Sequence, residues 1–285
     1  VPIVVISVRR GFYTGVLSLL VTAILLMILS PPWKAFLFIL QFFGLGVVYA
    51  YLFSKQADFS KILMNGTLVV AVFTVLSVLL SFYIAGFSIV ELTDTFEEVG
   101  DNAIAMYEKM GLLDSFEEQG MSREDIKEAV IKMTTSIAKS IPAIMVVYGM
   151  LVAFATYFIS RHTLLRLKLP VGNLPKFRNW QLPWVFVWGI ILGLAIMLLG
   201  DYQAWNLGML IGRNILYAYL PVLIVQGLSV ITFFYLKWKI PPFVKVLLVV
   251  IIMINLPLSL VVLLFIGLFD PLFNYRKLGV AKDGS

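Results

Sequence analysis

The residues of this sequence that could do chemistry are a few polar side chains inside long apolar runs. Arg213 and Asn214 lie in the run MLIGRNILYAYLP, residues 209–221. A charged side chain at the centre of a membrane costs at least about 2.5–3.5 kcal/mol to insert, so it usually faces the interior of a bundle and has a partner there. The pattern therefore predicts that Arg213 points inward, toward an acid, backbone carbonyls or an anionic ligand group.

Three roles for Arg213 stay open at this point. A helix predicted over 205–236 puts Arg213 about nine residues from its start, roughly 13 Å along the axis. The guanidinium could form an internal salt bridge, for which Asp201, Asp270 and Glu91 are the nearest acids by topology. It could instead bind a ligand anion, or reach the membrane surface from a tilted helix.

Other polar residues occur in separate apolar runs, among them Gln41, Gln226 and Asn255. Such amides usually bond one membrane helix to another, with a contribution of about 0.6 kcal/mol. They could also line one cavity together with the residues around Arg213. The ligand site predicted on this basis consists of Arg213, Asn214, Tyr217, Gln226, Asn255 and Gln41.

The composition argues against several classes of chemistry. The chain has no cysteine and one histidine, His162, so thiolate or histidine metal sites and a Ser-His-Asp triad are not expected. No glycine-rich phosphate loop or nucleophile motif occurs. The net charge of +6 comes from basic residues spread over short loops, which is typical of membrane topology and not of nucleic-acid binding. We therefore expect no catalytic residue, metal, cofactor or nucleic-acid partner.

The elements that must position these residues are membrane helices. The chain has 285 residues, 61% of them hydrophobic and 13% charged, whereas soluble domains carry roughly 25% charged residues. Apolar runs of about 18 or more residues predict membrane spans. We predict an all-α polytopic bundle in the lipid bilayer with seven spans, at about 11–30, 34–53, 63–90, 141–160, 183–200, 205–236 and 242–268. The opening stretch VPIVVISV is too short to span and is predicted to be the end of an element or an interfacial segment.

The charges predict how the chain is threaded through a plasma membrane. The loop 161–182 is basic, which places it in the cytoplasm. Segment 91–140 holds 12 acidic and five basic residues and is predicted to be extracytoplasmic. The chain is thus divided into N-terminal helices (1–90), an acidic segment (91–140) and C-terminal helices (141–285). The basic C-terminal tail falls outside by strict alternation, so either it is external or one late apolar run is broken, at Pro221 or at Asn255–Pro257.

The acidic segment is predicted to form an amphipathic helical hairpin. Ser122 followed by Asp125 resembles a capping box at the start of its second helix. Apolar residues recur at helical spacing on both arms, and these stripes are expected to pack on each other, on the membrane surface or on a partner. The stripes are Phe96, Val99, Ala103, Met106 and Met110 on the first arm, and Ile126, Val130, Met133 and Ile137 on the second.

Four segments resemble the YybS family of bacterial membrane proteins. They are VPIVVISVRRGFYTG, FRNWQLPWVFVWG, LIVQGLSVITFFYLK and GLFDPLFNYRKL, the last with a Gly-x-x-Asp-x-x-Phe-x-x-Arg-Lys pattern from Gly267 to Lys277. The resemblance implies a compact bundle related in fold to the S components of energy-coupling-factor transporters and to MreD. It also implies a ligand or protein partner within the membrane.

Two functions are consistent with these patterns. The first is a small-molecule-binding or transport-related membrane subunit, with Arg213 in a cavity below the hairpin. The second is a membrane scaffold or regulatory partner of an envelope or signalling protein, which would contact another membrane subunit or a second copy of the chain. An outward cavity lined by Arg213, Asn214 and Tyr217 would favour the first. A closed bundle with Arg213 paired to an acid would favour the second.

Overall fold

The chain folds into helices throughout the residues described by a computed structural model, namely 1–85, 89–111, 122–238 and 241–278. No strand occurs in these ranges, and the predicted all-α class is confirmed. In chain order the α-helices are Pro2–Arg10 (α1), Phe12–Leu29 (α2), Pro32–Ser54 (α3), Phe59–Ala85 (α4), Ile89–Lys109 (α5), Arg123–Arg166 (α6), Phe186–Tyr202 (α7), Asn206–Lys237 (α8), Pro242–Ile254 (α9) and Leu256–Phe273 (α10). A 3₁₀ turn covers Phe177–Asn179.

Backbone chemistry sets the boundaries of the first helices. Gly11 separates α1 from α2 with φ 97°, a left-handed conformation that glycine adopts without steric cost. The helix α2 ends at Ser30, before Pro31 and Pro32. Pro32 then begins α3, because its fixed φ suits the first helical turn, where its missing N–H costs no hydrogen bond. The N-terminal helices are therefore separate elements and not one long rod.

Six helices in the described ranges are long and apolar enough to cross a membrane: α2, α3, α4 over Phe59–Ser77, α6, α8 and α10. Two of the predicted spans differ from the prediction in extent. The predicted span 183–200 is the apolar helix α7, which has only 17 residues. The predicted span 141–160 is part of α6, a continuous helix of 44 residues in which Pro142 does not end the helix. The chain is a polytopic membrane protein.

The helices group into two compact units. The first comprises residues 1–55 and 62–170, and the second comprises residues 56–61 and 171–285. The first unit has an aromatic centre in which Tyr49, Phe53 and Tyr157 are fully buried. The Tyr49 hydroxyl donates to the Ala153 carbonyl at 2.8 Å, which joins α3 to α6. The rings of Phe53 and Tyr157 lie 5.5 Å apart.

Within the first unit, α5 packs along the beginning of α6 and confirms the predicted pair of helices. Ser122 and Asp125 form the predicted capping box, with the Asp125 N–H donating to Ser122 Oγ at 3.2 Å and the Ser122 N–H donating to Asp125 Oδ2 at 3.1 Å. Lys127 Nζ lies 3.1 Å from Asp101 Oδ1. The second arm is not a separate helix, because α6 runs on from it into the membrane span.

The predicted packing of the hairpin stripes on each other is wrong for most of the residues whose side chains are described. The two arms meet where Gly100 faces Ile131 and Thr134. A glycine lets two backbones approach, so the contact forms there and the bulkier apolar residues turn away. Phe96 has a side chain outside the described residues, and Ile126 is buried. The exposed apolar residues of the hairpin are Val99, Met106, Met110, Met133 and Ile137.

In the second unit, α8 is the central helix and has a different neighbour along each half. The helix α7 packs on its first half, where Gly193 faces Ile215 and Gly200 faces the backbone of Met209. The predicted internal packing of these glycine-rich helices is thus confirmed. The helix α10 packs on the second half, where Gly267 lies against the Leu223 carbonyl and Gly227 against the Leu263 carbonyl.

The predicted span 242–268 is interrupted. It consists of α9 and α10, with Asn255 between them at φ −107° and ψ 48°. Pro257 explains this break, because a proline lacks the N–H that continues a helix and its ring clashes with the preceding turn. The other proposed break point, Pro221, lies inside the continuous helix α8. The helix α10 also extends to Phe273, five residues beyond the predicted end.

Candidate functional site

A buried ion pair lies at the end of α10. Asp270 is in the last turn of this helix, which Asn274 ends in the left-handed conformation at φ 44° and ψ 53°. The reversal brings Arg276 back over Asp270. Arg276 Nη2 then donates to Asp270 Oδ2 at 2.7 Å and Arg276 Nε donates to Oδ1 at 3.3 Å. This two-point contact matches the planar fork of a guanidinium to a carboxylate.

The Arg276 guanidinium uses all five of its N–H donors. Two of them go to Asp270, and a third goes from Nη1 to Ser229 Oγ at 2.8 Å. The last two reach backbone carbonyls, those of Arg178 at 2.6 Å and Trp180 at 2.7 Å. The side chain is fully enclosed, and every donor has an acceptor, which is what burial of a guanidinium requires.

Gln226 and Ser229 of α8 complete this cluster. Gln226 Nε2 donates to Asp270 Oδ2 at 2.7 Å, and its Oε1 accepts from the Leu182 N–H at 3.2 Å. The Ser229 hydroxyl lies 2.8 Å from the Phe177 carbonyl oxygen. We call Gln226, Ser229, Asp270 and Arg276, with the backbone of 177–182, the polar clamp. It joins α8, the end of α10 and the segment that precedes α7.

The chemistry of the polar clamp is that of a fastening and not of a binding site. Its two charges neutralise each other, and the donors of Arg276 and Gln226 that reach it are occupied within the protein. A ligand would have to displace a buried hydrogen bond, which leaves a desolvated polar group behind. Gln226, which was predicted to line a ligand site, is therefore a structural residue of the clamp.

Arg213 does not meet any of the acids proposed for it among the described side chains. Asp270 is paired with Arg276, Asp201 is exposed, and the side chain of Glu91 is outside the described residues. Arg213 is half-buried, and its Nη2 lies 3.9 Å from Met209 Sδ, a weak acceptor. The predicted internal salt bridge is wrong for Asp270 and Asp201.

The other predicted site residues are not brought together into one site in the described part of the chain. Asn214 Nδ2 donates to the Leu210 carbonyl of its own helix at 2.9 Å. Tyr217 is 39% exposed, and Asn255 is exposed at the break between α9 and α10. The side chain of Gln41 lies outside the described residues. The single predicted cavity around Arg213 is replaced by the polar clamp, the half-buried arginine and a cleft elsewhere.

That cleft, of about 220 Å³, lies in the first unit between α1, α2, α3 and α6. Its lining is almost wholly aliphatic and aromatic, and its polar side chains are the hydroxyls of Thr22, Tyr49 and Thr156. Thr22 donates to the Ser18 carbonyl and Tyr49 to the Ala153 carbonyl, so both oxygens still have lone pairs to offer. The other lining residues are Val1, Ile3, Val4, Leu19, Ala23, Leu26, Phe38, Ile39, Phe42, Phe43, Leu45, Gly46 and Val152.

The cleft suits an apolar molecule. An apolar cavity of about 150 Å³ in another protein stays dry and binds benzene, so this space is large enough for a small hydrocarbon group. The lining includes no carboxylate, imidazole or amine side chain, so it offers neither ion pairing nor acid–base catalysis to a ligand. A molecule bound here would be held by contact area and by one or two hydrogen bonds to hydroxyl oxygens.

Comparison with known families agrees with this picture of a membrane protein. Residues 1–271 match the family described as predicted membrane protein, DUF2232. The chain belongs to the DUF2232 family. The resemblance to YybS proteins is consistent with this membership. No curated protein and no solved structure matches the chain. The matched part of this DUF2232 protein includes all the cleft residues and Asp270, but it ends before Arg276.

Sequence reasoning missed the residues that matter most in this DUF2232 protein. Ser229 and the pairing of Asp270 with Arg276 were not anticipated, although both charged residues belong to the C-terminal Gly-x-x-Asp-x-x-Phe-x-x-Arg-Lys pattern. Their separation by six residues, across the end of a helix, was the available signal. The cleft had no comparable signal, because Tyr49, Thr22 and Thr156 are ordinary residues of apolar helices.

Proposed function

We propose that this DUF2232 protein binds a small apolar molecule in the cleft of its first unit. In this proposal it is a transport-related membrane subunit of the kind that the resemblance to S components implies. The observation that carries the proposal is a cleft of about 220 Å³ with an apolar lining and three hydroxyls. The ligand is accordingly a largely hydrocarbon molecule with a single hydrogen-bond donor.

Native mass spectrometry of the protein, purified in a mild detergent, tests this function. The wild-type protein is expected to retain an apolar molecule that leaves only on stronger activation. Ala23→Phe should abolish this retention, since Ala23 lines the cleft and a phenyl ring would fill it. The matched control is Leu25→Phe on the same helix, where the side chain is 52% exposed. Equal retention by both variants would refute the proposal, provided that both unfold at the wild-type temperature.

The sidedness and the location in the plasma membrane also form part of the proposal. Segment 91–140 carries 12 of the 16 acidic residues, and the loop 161–182 is basic. The positive-inside rule then places the hairpin outside the cell and this loop inside. We propose further that the protein is not an enzyme, because the cleft offers no acid–base pair among its lining residues.

A second candidate function is a scaffold for another membrane protein. The exposed apolar residues of the hairpin, Val99, Met106, Met110, Met133 and Ile137, favour it, because methionine-rich surfaces adapt to partners. Photo-crosslinking from Met106 in intact cells tests it. A discrete crosslinked protein that disappears on Met133→Asp, while Glu124→Asp leaves it in place, would support the scaffold. A crosslink to lipid alone would count against it.

A further inference from the structure

Arg213 is a cation in an apolar helix that the protein itself leaves weakly satisfied. Its guanidinium reaches Met209 Sδ at 3.9 Å, and none of the described carboxylates pairs with it. It is half-buried, so part of its surface is available to a molecule outside the helix. By contrast, the Arg276 guanidinium in the same unit has five hydrogen bonds to protein. An arginine in a membrane segment without a protein acid calls for an anion from elsewhere.

The position of Arg213 along α8 indicates where that anion comes from. It lies seven residues after Asn206, the first residue of the helix, which is about 10 Å at a rise of 1.5 Å per residue. The turn before the helix carries Tyr202 and Trp205, which are 88% and 47% exposed. Exposed tyrosine and tryptophan at the end of an apolar helix typically lie at the headgroup level of a membrane. A long basic side chain can extend toward that level.

The neighbours of Arg213 match a lipid along the helix surface. Tyr217, one turn further into the helix, is 39% exposed, and Leu220 follows it at 37%. These side chains offer an apolar path below the guanidinium, of the kind that an acyl chain covers. The planar guanidinium binds a phosphate through two parallel hydrogen bonds. The exposed Asp201 at the same end disfavours a free anion in solution, but it does not block access from the membrane side.

We propose that Arg213 binds the phosphate group of an anionic phospholipid whose chains lie along Tyr217 and Leu220. This site is in the second unit and is independent of the apolar cleft proposed above. The lipid phosphate replaces the acid that the described part of the chain does not supply. It accounts for a guanidinium that is retained in an apolar segment although its nearest partner is a thioether.

Lipid nanodiscs test this site. The protein is placed in discs with equal amounts of phosphatidylglycerol and phosphatidylcholine, and the lipids retained after gentle release are counted by native mass spectrometry. We expect phosphatidylglycerol to be enriched about fivefold over phosphatidylcholine in the wild type, the ratio that one basic residue at an anionic surface produces. Arg213→Leu should abolish the enrichment, and Arg213→Lys should retain part of it, because it keeps the charge but loses the fork.

The controls distinguish a bound lipid from a free anion and from a protein partner. Lys132→Leu removes an exposed cation from α6 and should keep the wild-type enrichment. Arg213→Gln serves as a second neutral variant if Arg213→Leu does not fold. Equal enrichment in the wild type and in the neutral Arg213 variants would overturn the proposal. Stabilisation of the wild type by inorganic phosphate in discs of phosphatidylcholine alone would assign the site to a free anion and overturn the lipid source. Loss of a co-purifying protein on Arg213→Leu, without a change in lipid, would overturn it in favour of an acidic helix.

Discussion

The Arg276 guanidinium lies 2.7 Å from the Asp270 carboxylate, and neither side chain has any exposed surface. The two residues are six positions apart, across the end of α10. Together with Gln226 and Ser229 they fasten three separate parts of the second unit. Such a pair need not be more stable than an apolar substitute, but the loss of one partner leaves an unpaired buried charge.

The first prediction concerns this pair. Asp270→Asn should lower the free energy of unfolding by about 3–5 kcal/mol, because it strands the Arg276 charge and turns an amide toward donors. Unfolding of the purified protein in detergent, followed by circular dichroism, measures the change. Asp201→Asn is the control, since Asp201 is exposed and should have little effect. Similar stabilities for the two variants would contradict the assigned role of the clamp.

The second prediction concerns the contact between α8 and α10. A side chain on Gly267 would meet the Leu223 carbonyl, which is backbone and cannot move aside easily. Gly267→Ala should therefore destabilise the second unit by about 1–3 kcal/mol through overpacking, measured by the same unfolding experiment. Gly189→Ala is the comparison, because there the new group meets the Tyr219 side chain, which can rotate away. An equal or larger loss in Gly189→Ala would show that the two helices are not in backbone contact at Gly267.

The third prediction concerns the C-terminal tail. Arg276 bonds the Arg178 carbonyl, and Gln181 Nε2 donates to Asn274 Oδ1 at 3.1 Å. The tail and the segment before α7 therefore share one location. Cysteines introduced at Lys277 and at Asn179, both exposed, should react alike with an impermeant thiol reagent on intact cells. Labelling of one site and protection of the other would contradict the contact.

The fourth prediction concerns orientation. Cysteine at Glu98 on the hairpin should be labelled on intact cells, and cysteine at His162 at the end of α6 should be protected, because the acidic segment is proposed to be outside. Both positions are exposed, whereas Ser160 is fully buried and would be protected on either side. The chain has no cysteine of its own, so each signal has one origin. The opposite pattern would reverse every side assignment.

The sequence by itself determined the class of protein and the approximate course of its helices. Apolar runs must be helical in a membrane, because each backbone N–H and C=O needs a partner within the segment. Proline and asparagine at 255–257 marked the break in the last predicted span, and Ser122 with Asp125 marked a helix start. These are local effects, since a helix boundary depends on residues within about one turn of it.

Only the tertiary structure decided which polar groups meet. Asp270 was available to Arg213 or to Arg276 by sequence, and the left-handed turn at Asn274 gave it to Arg276. Gln226 joins Asp270 across 44 residues because Gly227 and Gly267 set how α8 and α10 pack. The cleft, likewise, exists only where side chains from four helices fail to fill the space between them. Pairing and packing depend on the register between distant helices, and the sequence of a single helix carries no record of its neighbour's register.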